Sequence, residues 1–362
     1  MSDSRDGQSF KPQFTKAKPV VEPGEFNFAA AYFDHGHIHG QIEGLIQAGG
    51  ILKYIYDPNP DRIAGVIKNH PEAKLVSNFE EILDDSSLHM VTSAAIPCDR
   101  GPIGIRVMES GKDYFTDKSP FTTLEQLEQA REVVKRTGRK YMVYYCERLG
   151  NEATWHAGEI IRAGAIGRVL QVLNLAPHNL NAPSRPEWFF QKEEYGGILT
   201  DIGSHQFEQF LHFTGASDMK VLAARVDNLD NPDYPGLEDF GEALLQSHEG
   251  ASCYCRVDWF NPKGSKTWGD GRTFVIGTKG SVEIRKNHDL ARDTGGNLLF
   301  LVDEQGEQEI HCAGQVGHPY FPQLVLDVLN RTENAMTQEH AFKAAEISMH
   351  AQAMADAQRN SI

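Results

Sequence analysis

Basic residues are scarce in this chain: 35 Lys and Arg stand against 50 Asp and Glu, a formal net charge of −15. Nucleic acid and anionic membrane surfaces select for clustered Lys and Arg, so neither is expected as the main partner. Long apolar runs are missing too. No stretch approaches the roughly 18 apolar residues that span a bilayer. Residues 1–24 carry Lys and Pro but no hydrophobic core of the signal-peptide kind, which makes the cytoplasm the expected compartment. Cysteine is sparse: Cys98, Cys146, Cys253, Cys255 and Cys312 are scattered and fit neither a disulfide framework nor a CxxC metal site. Cys253 and Cys255 alternate within an apparent strand and are expected as buried thiols on one face. Repeats and low-complexity tracts are absent. What remains is 362 residues, 40% hydrophobic and 23% charged, the composition of a globular protein of about two domains.

Residues 1–24 read as an extended arm, with Pro12, Pro19 and Pro23 and little periodic hydrophobicity. From Phe26 strands and helices alternate. A strand is expected over 26–33; Ile38, Ile42, Leu45 and Ile46 then recur at helical spacing up to Gly49-Gly50, and a second strand over 51–56 ends at Asp57-Pro58. Strands over 90–95, 114–116 and 141–145 follow, separated by a helix over 103–110 and one opened by a Thr122/Glu125 capping box and stopped by Gly138. This is an α/β pattern with a doubly wound parallel sheet, whose ligands sit at the carboxyl ends of the strands. After Gly150, strands succeed one another over 169–175, 221–226, 243–247, 252–260, 273–277, 281–285 and 298–302, which implies an α+β domain with a large, mainly antiparallel sheet. Phe342, Ala345, Met349 and Ala353 mark a closing core helix. The expected division is an arm over 1–24, a dinucleotide-binding domain over 25–149, a substrate and oligomerisation domain over 150–335, and a C-terminal helix over 336–362.

Two segments carry candidate chemistry. Gly196-Gly197-Ile198-Leu199-Thr200-Asp201-Ile202-Gly203-Ser204-His205 sets a carboxylate and an imidazole four residues apart, on one face if the segment over 200–210 is helical. The glycines leave room for a ligand or a second backbone. On their own, the two residues fit a helix-capping aspartate and an ordinary buried histidine equally well. The stretch Asp34-His35-Gly36-His37-Ile38-His39-Gly40 occupies the place of a G-x-G-x-x-G turn but keeps only its middle glycine. Gly36 with the amides of His37 and Ile38 can still face a pyrophosphate, while an ionised Asp34 would repel one unless turned away or used as a cap. Asp57, 21 residues beyond Gly36, is placed to accept hydrogen bonds from a ribose 2′-hydroxyl, favouring NAD over NADP. A rival reading takes His35, His37 and His39 as ligands of a divalent metal in a barrel hydrolase. The strand-rich pattern after residue 150 lacks the uninterrupted strand–helix alternation such a barrel needs, so no metal is expected.

With these segments in view, the chain over about 26–355 resembles the Gfo/Idh/MocA oxidoreductases. Ala94-Ala95-Ile96-Pro97 is similar to that family's strand-end segment beside the nicotinamide ribose. Ser110-Gly111-Lys112-Asp113-Tyr114-Phe115-Thr116-Asp117-Lys118-Ser119-Pro120 resembles its A-G-K-x-V-x-x-E-K-P segment, with Asp for Glu and an extra Ser. Residues 196–205 resemble its G-G-x-x-x-D-x-G-x-H segment, and Gly277-Thr278-Lys279-Gly280 a turn of its second domain. The glycine turn is the departure.

The resemblance implies a Rossmann domain joined to a largely antiparallel sheet domain, NAD or less favourably NADP as cofactor, and a sugar, cyclitol or related polyol as substrate. Lys118, Asp201 and His205 become the catalytic set: an imidazole base for the hydroxyl proton, a lysine stabilising charge on the reacting oxygen, and a carboxylate orienting its neighbours. Cofactor contacts fall to Gly36, His37, Ile38, Asp57, Ala95, Ile96, Pro97, Asp117 and Lys118. Arg148, His178, Asn179, Asn181, Arg185 and Trp188 suit a polyhydroxylated ring, and Glu147 and Arg148 are expected to face the same cleft. A homo-oligomer is expected, as is a small-molecule partner. A catalytically silent relative that binds NAD or a sugar is the alternative from a different class.

Overall fold

The computed structural model describes residues 18–292 and 295–359; the arm expected over 1–24 falls mostly outside them. The chain divides into two compact units. The first holds residues up to Tyr144 together with His318–Ala341, and the second holds Tyr145–Gly317 and the residues from Phe342 onward.

The first unit is built on six strands: β1 (Asn27–Ala31), β2 (Ile51–Tyr56), β3 (Lys74–Leu75), β4 (Met90–Ser93), β5 (Asp113–Asp117) and β6 (Tyr141–Tyr144). All pair in parallel, in the order β3-β2-β1-β4-β5-β6. β4, β5 and β6 are buried throughout, as unbroken apolar runs such as Met90-Val91 require when helices cover both faces. The order reverses between β1 and β4, so the turns after these two strands flank the switch point where such sheets bind ligands.

Two helices depart from the sequence expectation. The helix after β4 runs over Pro97–Glu109, with Pro97 in its first turn and Pro102 inside it. Pro102 cannot donate to the carbonyl four residues back, that of Cys98; the Gln126 side-chain amide donates to it instead, at 2.7 Å, and the helix continues. The next helix, Leu124–Thr137, is capped by Thr123, whose hydroxyl accepts from Gln126 N, and not by a Thr122/Glu125 box. The Gln126 amide oxygen in turn accepts from Thr122 N at 3.0 Å. Residues 318–341, which the sequence divides between the second domain and the C-terminal helix, group with the first unit: Phe321 contacts Phe115 and Tyr144, and its ring fills the space where a Cβ on Gly44 would stand.

The second unit carries an eight-stranded sheet: β7 (Val169–Pro177), β8 (Met219–Asp227), β9 (Phe240–Ser247), β10 (Ser252–Asp258), β11 (Arg272–Gly277), β12 (Ser281–Arg285), β13 (Leu298–Asp303) and β14 (Gly306–His311). The order is β14-β13-β12-β11-β7-β10-β9-β8. Neighbours are antiparallel except β7 and β10. Burial alternates along the strands, so Cys253, Cys255 and Val257 face the core with Val172 and Ala176. Burial pushes the Cys253 thiol up to about 12 and raises that of Cys255 as well. The helices Glu152–Arg162 and Gly203–Thr214 pack against this sheet and bring the second motif to it.

Candidate active site

In the first unit, the turn after β1 is shaped differently from its sequence pattern. The residue in the left-handed region is Tyr32, φ 60°, not Gly36, whose φ of −63° any residue could adopt. Nothing in the sequence marks this position, because a glycine is the usual occupant and a tyrosine stands there. Gly36 is the N-cap of the helix His37–Gln47. The amides of His37 and Ile38 lie within 3.3 Å of His35 Nδ1 and His35 O, so His35 organises the helix start that the sequence assigns to a pyrophosphate. Asp34 is turned aside into an ion pair with Arg62 at 2.5 Å. Burial raises its pKa, with Arg62 opposing. Asp57 is buried and accepts from Phe33 N at 2.6 Å and Asn59 N at 2.7 Å. It therefore locks the turn after β1 to the end of β2, and Arg62 stands 3.6 Å from its Oδ1.

The turn's two histidines converge on the end of β5. His37 Nδ1 lies 2.9 Å from Asp117 Oδ1, and His35 Nδ1 lies 3.2 Å from Asp117 Oδ2. Arg100, 1% exposed, reaches the same carboxylate at 3.5 Å, donates to Ala95 O at 2.7 Å and to Ser119 O at 3.1 Å, and also bonds Lys118 O. Burial alone would raise the Asp117 pKa; the His37 and Arg100 charges and the histidine hydrogen bonds outweigh it and hold the carboxyl well below its usual range. Burial pushes His35 down to about 3. His35, His37 and Asp117 are close enough to share a cation; His37 Nδ1 is at direct hydrogen-bond distance from Asp117 Oδ1, Oδ2 accepts no well-formed hydrogen bond among the described residues, and the Arg100 guanidinium stands 3.5 Å from it where a cation would sit. The group thus fits a hydrogen-bonded brace between β1, β4 and β5 better than a metal centre, and His39 is not part of it. Lys118 follows Asp117, buried at 8% exposure, its amide donating to Asp117 Oδ1 at 2.8 Å. Ala95, Ile96 and Pro97 close β4 and open the next helix. A carboxylate at the end of β2 and a lysine at the end of β5 fit a dinucleotide: Asp57 would hold a ribose and Lys118 the nicotinamide side, whereas the His37 and Ile38 amides expected to face the pyrophosphate are engaged by His35.

In the second unit, Gly196 (φ 87°) ends a short helix, and Gly197 (φ 93°, ψ 158°) starts the next, Ile198–Asp201. The close approach these glycines permit is to Gln352: a Cβ on Gly197 would stand 2.3 Å from its amide carbon. Gln352 also accepts from Leu199 N at 3.0 Å and donates to Glu238, which accepts from Ile198 N at 2.9 Å. Helical backbone continues through Ile202 into Gly203–Thr214, so Asp201 and His205 are one helical turn apart. His205 is buried at 2% exposure; its Nε2 lies 3.8 Å from Cys146 Sγ, and its Nδ1 has no hydrogen-bond partner among the described residues.

A buried polar network surrounds His205. Glu147 Oε2 accepts from Lys286 Nζ and from Gln206 Nε2, each at 2.8 Å. Burial would raise the Glu147 pKa, but Lys286 and the imidazoles of His205 and His178 outweigh it and hold the carboxyl far below its usual range. Lys286 also donates to Gln209 at 3.0 Å, and Gln209 donates to His205 O at 3.1 Å. Arg148 is held by Glu208, its Nε 2.7 and 2.9 Å from the two carboxylate oxygens. Arg185 stacks on Phe189 and Trp259 and donates to Leu180 O and Asn179 O. His178 lies beside Trp268, its Nε2 3.7 Å from Glu147 Oε1. Asn181 takes the left-handed region at φ 42°, and Trp188 is buried. The sequence reading missed Arg100 and Lys286: isolated basic residues carry no local signal when their partners lie 17 and 139 positions away.

Sheet order, switch-point turn and buried acid/base side chains together define a nicotinamide-dependent oxidoreductase. Residues 32–145 match the profile of an oxidoreductase family with an NAD-binding Rossmann fold, and residues 154–283 that of the GFO/IDH/MocA C-terminal domain. The chain belongs to the Gfo/Idh/MocA oxidoreductases. It is 27% identical over 274 residues to scyllo-inositol 2-dehydrogenase (NAD(+)) of Bacillus subtilis (strain 168), covering 74% of this chain and 77% of that one. An oxidoreductase crystal structure from Erwinia carotovora atroseptica SCRI1043 matches with a TM-score of 0.89 and 43% identity, over 91% of this chain and 99% of that one. Levoglucosan dehydrogenase in complex with NADH and levoglucosan shares the fold, with a TM-score of 0.76 at 19% identity over 92% and 97% of the two chains. Among the described residues, no helix is long and apolar enough to cross a membrane.

Proposed function

We propose that the protein oxidises a secondary alcohol of a neutral sugar, cyclitol or related polyol with NAD, using Lys118, Asp201 and His205. The observation that carries this reading is the His205 imidazole, shut away from water with one ring nitrogen unpartnered among the described residues, as a proton acceptor must be before its substrate arrives. His205 takes the hydroxyl proton. Lys118 holds the oxygen on which negative charge develops. Asp201, one turn before His205, orients the substrate hydroxyl or the imidazole. NAD, when bound, supplies the hydride acceptor.

Substrate recognition is assigned to Arg148, His178, Asn179, Asn181, Arg185 and Trp188 of the second unit. Arg148 and Arg185 act there through the groups they brace. The five unbridged cysteines suit a reducing compartment, the cytoplasm, and the sheet face that the described residues leave part-exposed suits a homo-oligomer.

The decisive experiment is a titration with NAD, NADP and their reduced forms, followed by nicotinamide fluorescence, with metal content measured on the same sample. Preferential NAD(H) binding followed by turnover with a polyol is the expected result. NAD binding without turnover on any polyol would identify a silent relative instead. Stoichiometric zinc without dinucleotide binding would overturn the oxidoreductase mechanism.

A further inference from the structure

The Glu147 carboxylate is only half used. Its Oε2 takes the Lys286 ammonium and the Gln206 amide, whereas Oε1 accepts no hydrogen bond among the described residues, although Glu147 is 7% exposed. The nearest ring nitrogen, His178 Nε2, stands 3.7 Å away, beyond hydrogen-bond reach. Two further buried atoms nearby share this condition: Gln206 Oε1 and His205 Nδ1. Buried polar atoms are rarely left unpaired, and when they are, an unseen water or a functional partner accounts for it. Here three occur together, on a helix that carries the proposed base and on the side chain bonded to it.

The chemistry of the missing partner follows from the atoms. Two unpartnered carbonyl-type oxygens ask for donors. A metal or organic cation is opposed by the Lys286 ammonium already on Glu147, and a carboxylate-bearing substrate offers acceptors where acceptors already crowd. A neutral hydroxyl fits. We propose that Glu147 binds substrate directly: Oε1 accepts a hydrogen bond from the hydroxyl beside the one being oxidised, making the enzyme selective for vicinally hydroxylated, uncharged substrates. This assignment rests on the polyol reading above. The Lys286–Glu147 ion pair fixes which oxygen faces the substrate, and Gln209 ties that pair to the His205 backbone.

The test uses the full-length enzyme with NAD and a panel of scyllo-inositol, myo-inositol, levoglucosan, D-xylose and D-glucose, choosing the fastest substrate and its analogue lacking the hydroxyl next to the oxidised carbon. Wild type should lose about tenfold or more in kcat/KM on the deoxy analogue. Glu147→Gln must turn its oxygen toward Lys286 and Gln206, placing an amide donor where Oε1 stood. It should narrow the gap between the parent polyol and the deoxy analogue, because the hydroxyl then meets the amide only as an acceptor and loses its bond to a carboxylate. Because Glu147→Gln leaves Lys286 without its counter-charge, Glu147→Met with Lys286→Met, which removes both charges, should show the same loss of discrimination. If either variant slows both substrates by one factor, or if wild type does not distinguish them, Oε1 meets a buried water and the assignment is wrong. Failure of wild type to oxidise any of the five, despite binding NADH, would instead overturn the polyol reading on which it rests.

Discussion

Single side chains in this protein are set by burial and by the partner each one finds. In the function proposed above, His205 takes the hydroxyl proton and Lys118 holds the reacting oxygen. Changing either to Ala should lower kcat/KM by about 10²-fold or more. NADH affinity of His205→Ala, measured by fluorescence titration, should stay at the wild-type value, because His205 belongs to the second unit and the NAD-binding fold to the first. His35 makes a different prediction. Its folded pKa of about 3 lies below the 6.5 of an unfolded histidine, so the unfolded chain binds the extra proton. Stability is therefore complete above about pH 6.5 and falls as pH drops toward 3, by up to about 1.4 kcal/mol per pH unit for one proton. Asp117 is also held low, but an unfolded aspartate binds its proton only below about pH 4. The decline between pH 6.5 and 4 thus carries the histidine signature. Thermal melts across that range should show His35→Gln losing less of its melting temperature than wild type; parallel curves would mean that His35 is protonated in the folded state.

At the scale of elements, the Gly196-Gly197 pair shows how a helix is aimed. Gly197 sits in a backbone region that essentially only glycine occupies, and the Gln352 amide fills the space where a Cβ would be. Backbone strain and overpacking would each cost about 1–3 kcal/mol, so Gly197→Ala should destabilise the protein by more than about 2 kcal/mol in urea denaturation. Gly65→Ala, where nothing lies within 4 Å and φ is ordinary, is the control that should change little. The alternation of strands and helices up to Tyr144 and the run of strands after it were legible from hydrophobic period; the Lys118 and Asp201/His205 segments stood out as motifs, and their roles belong to the function proposed above. Three features were not. The helix over Pro97–Glu109 passes through Pro102 because Gln126, from another helix, satisfies the stranded Cys98 carbonyl. Tyr32 takes a backbone conformation that tertiary packing on Tyr56 and Phe79 imposes on it. The Glu147–Lys286 pair joins residues 139 positions apart, and no local pattern encodes such a partner.

For the molecule as a whole, association turns on the face of the eight-stranded sheet that the described residues leave part-exposed. Register places Leu244, Tyr254, Leu173, Phe274, Glu283 and Phe300 in one row across five strand pairings. Leu244 is 37% exposed, and Ile276 and Val302, 44% and 43% exposed, extend the apolar surface on one side of the row. A parallel row carries Arg285, Arg272, Arg256, Glu242 and Arg225. Each of these arginines is paired with a carboxylate, Arg225 with Asp227, Arg256 with Asp258, Arg272 with Asp270 and Arg285 with Glu283 and Asp289, so this margin is charged but balanced in a chain whose net charge is −15, and two such chains repel each other less here than over an unbalanced acidic surface. An apolar centre beside a charged margin is also the composition expected of an interface. Sedimentation should therefore give a mass of at least twice 40.4 kDa. Leu244→Glu adds a charge to the apolar row without touching the buried side of the sheet, and should shift the protein toward the monomer while leaving NADH binding intact. A wild-type monomer at micromolar concentration, or an oligomer that Leu244→Glu leaves whole, would move the interface off this sheet.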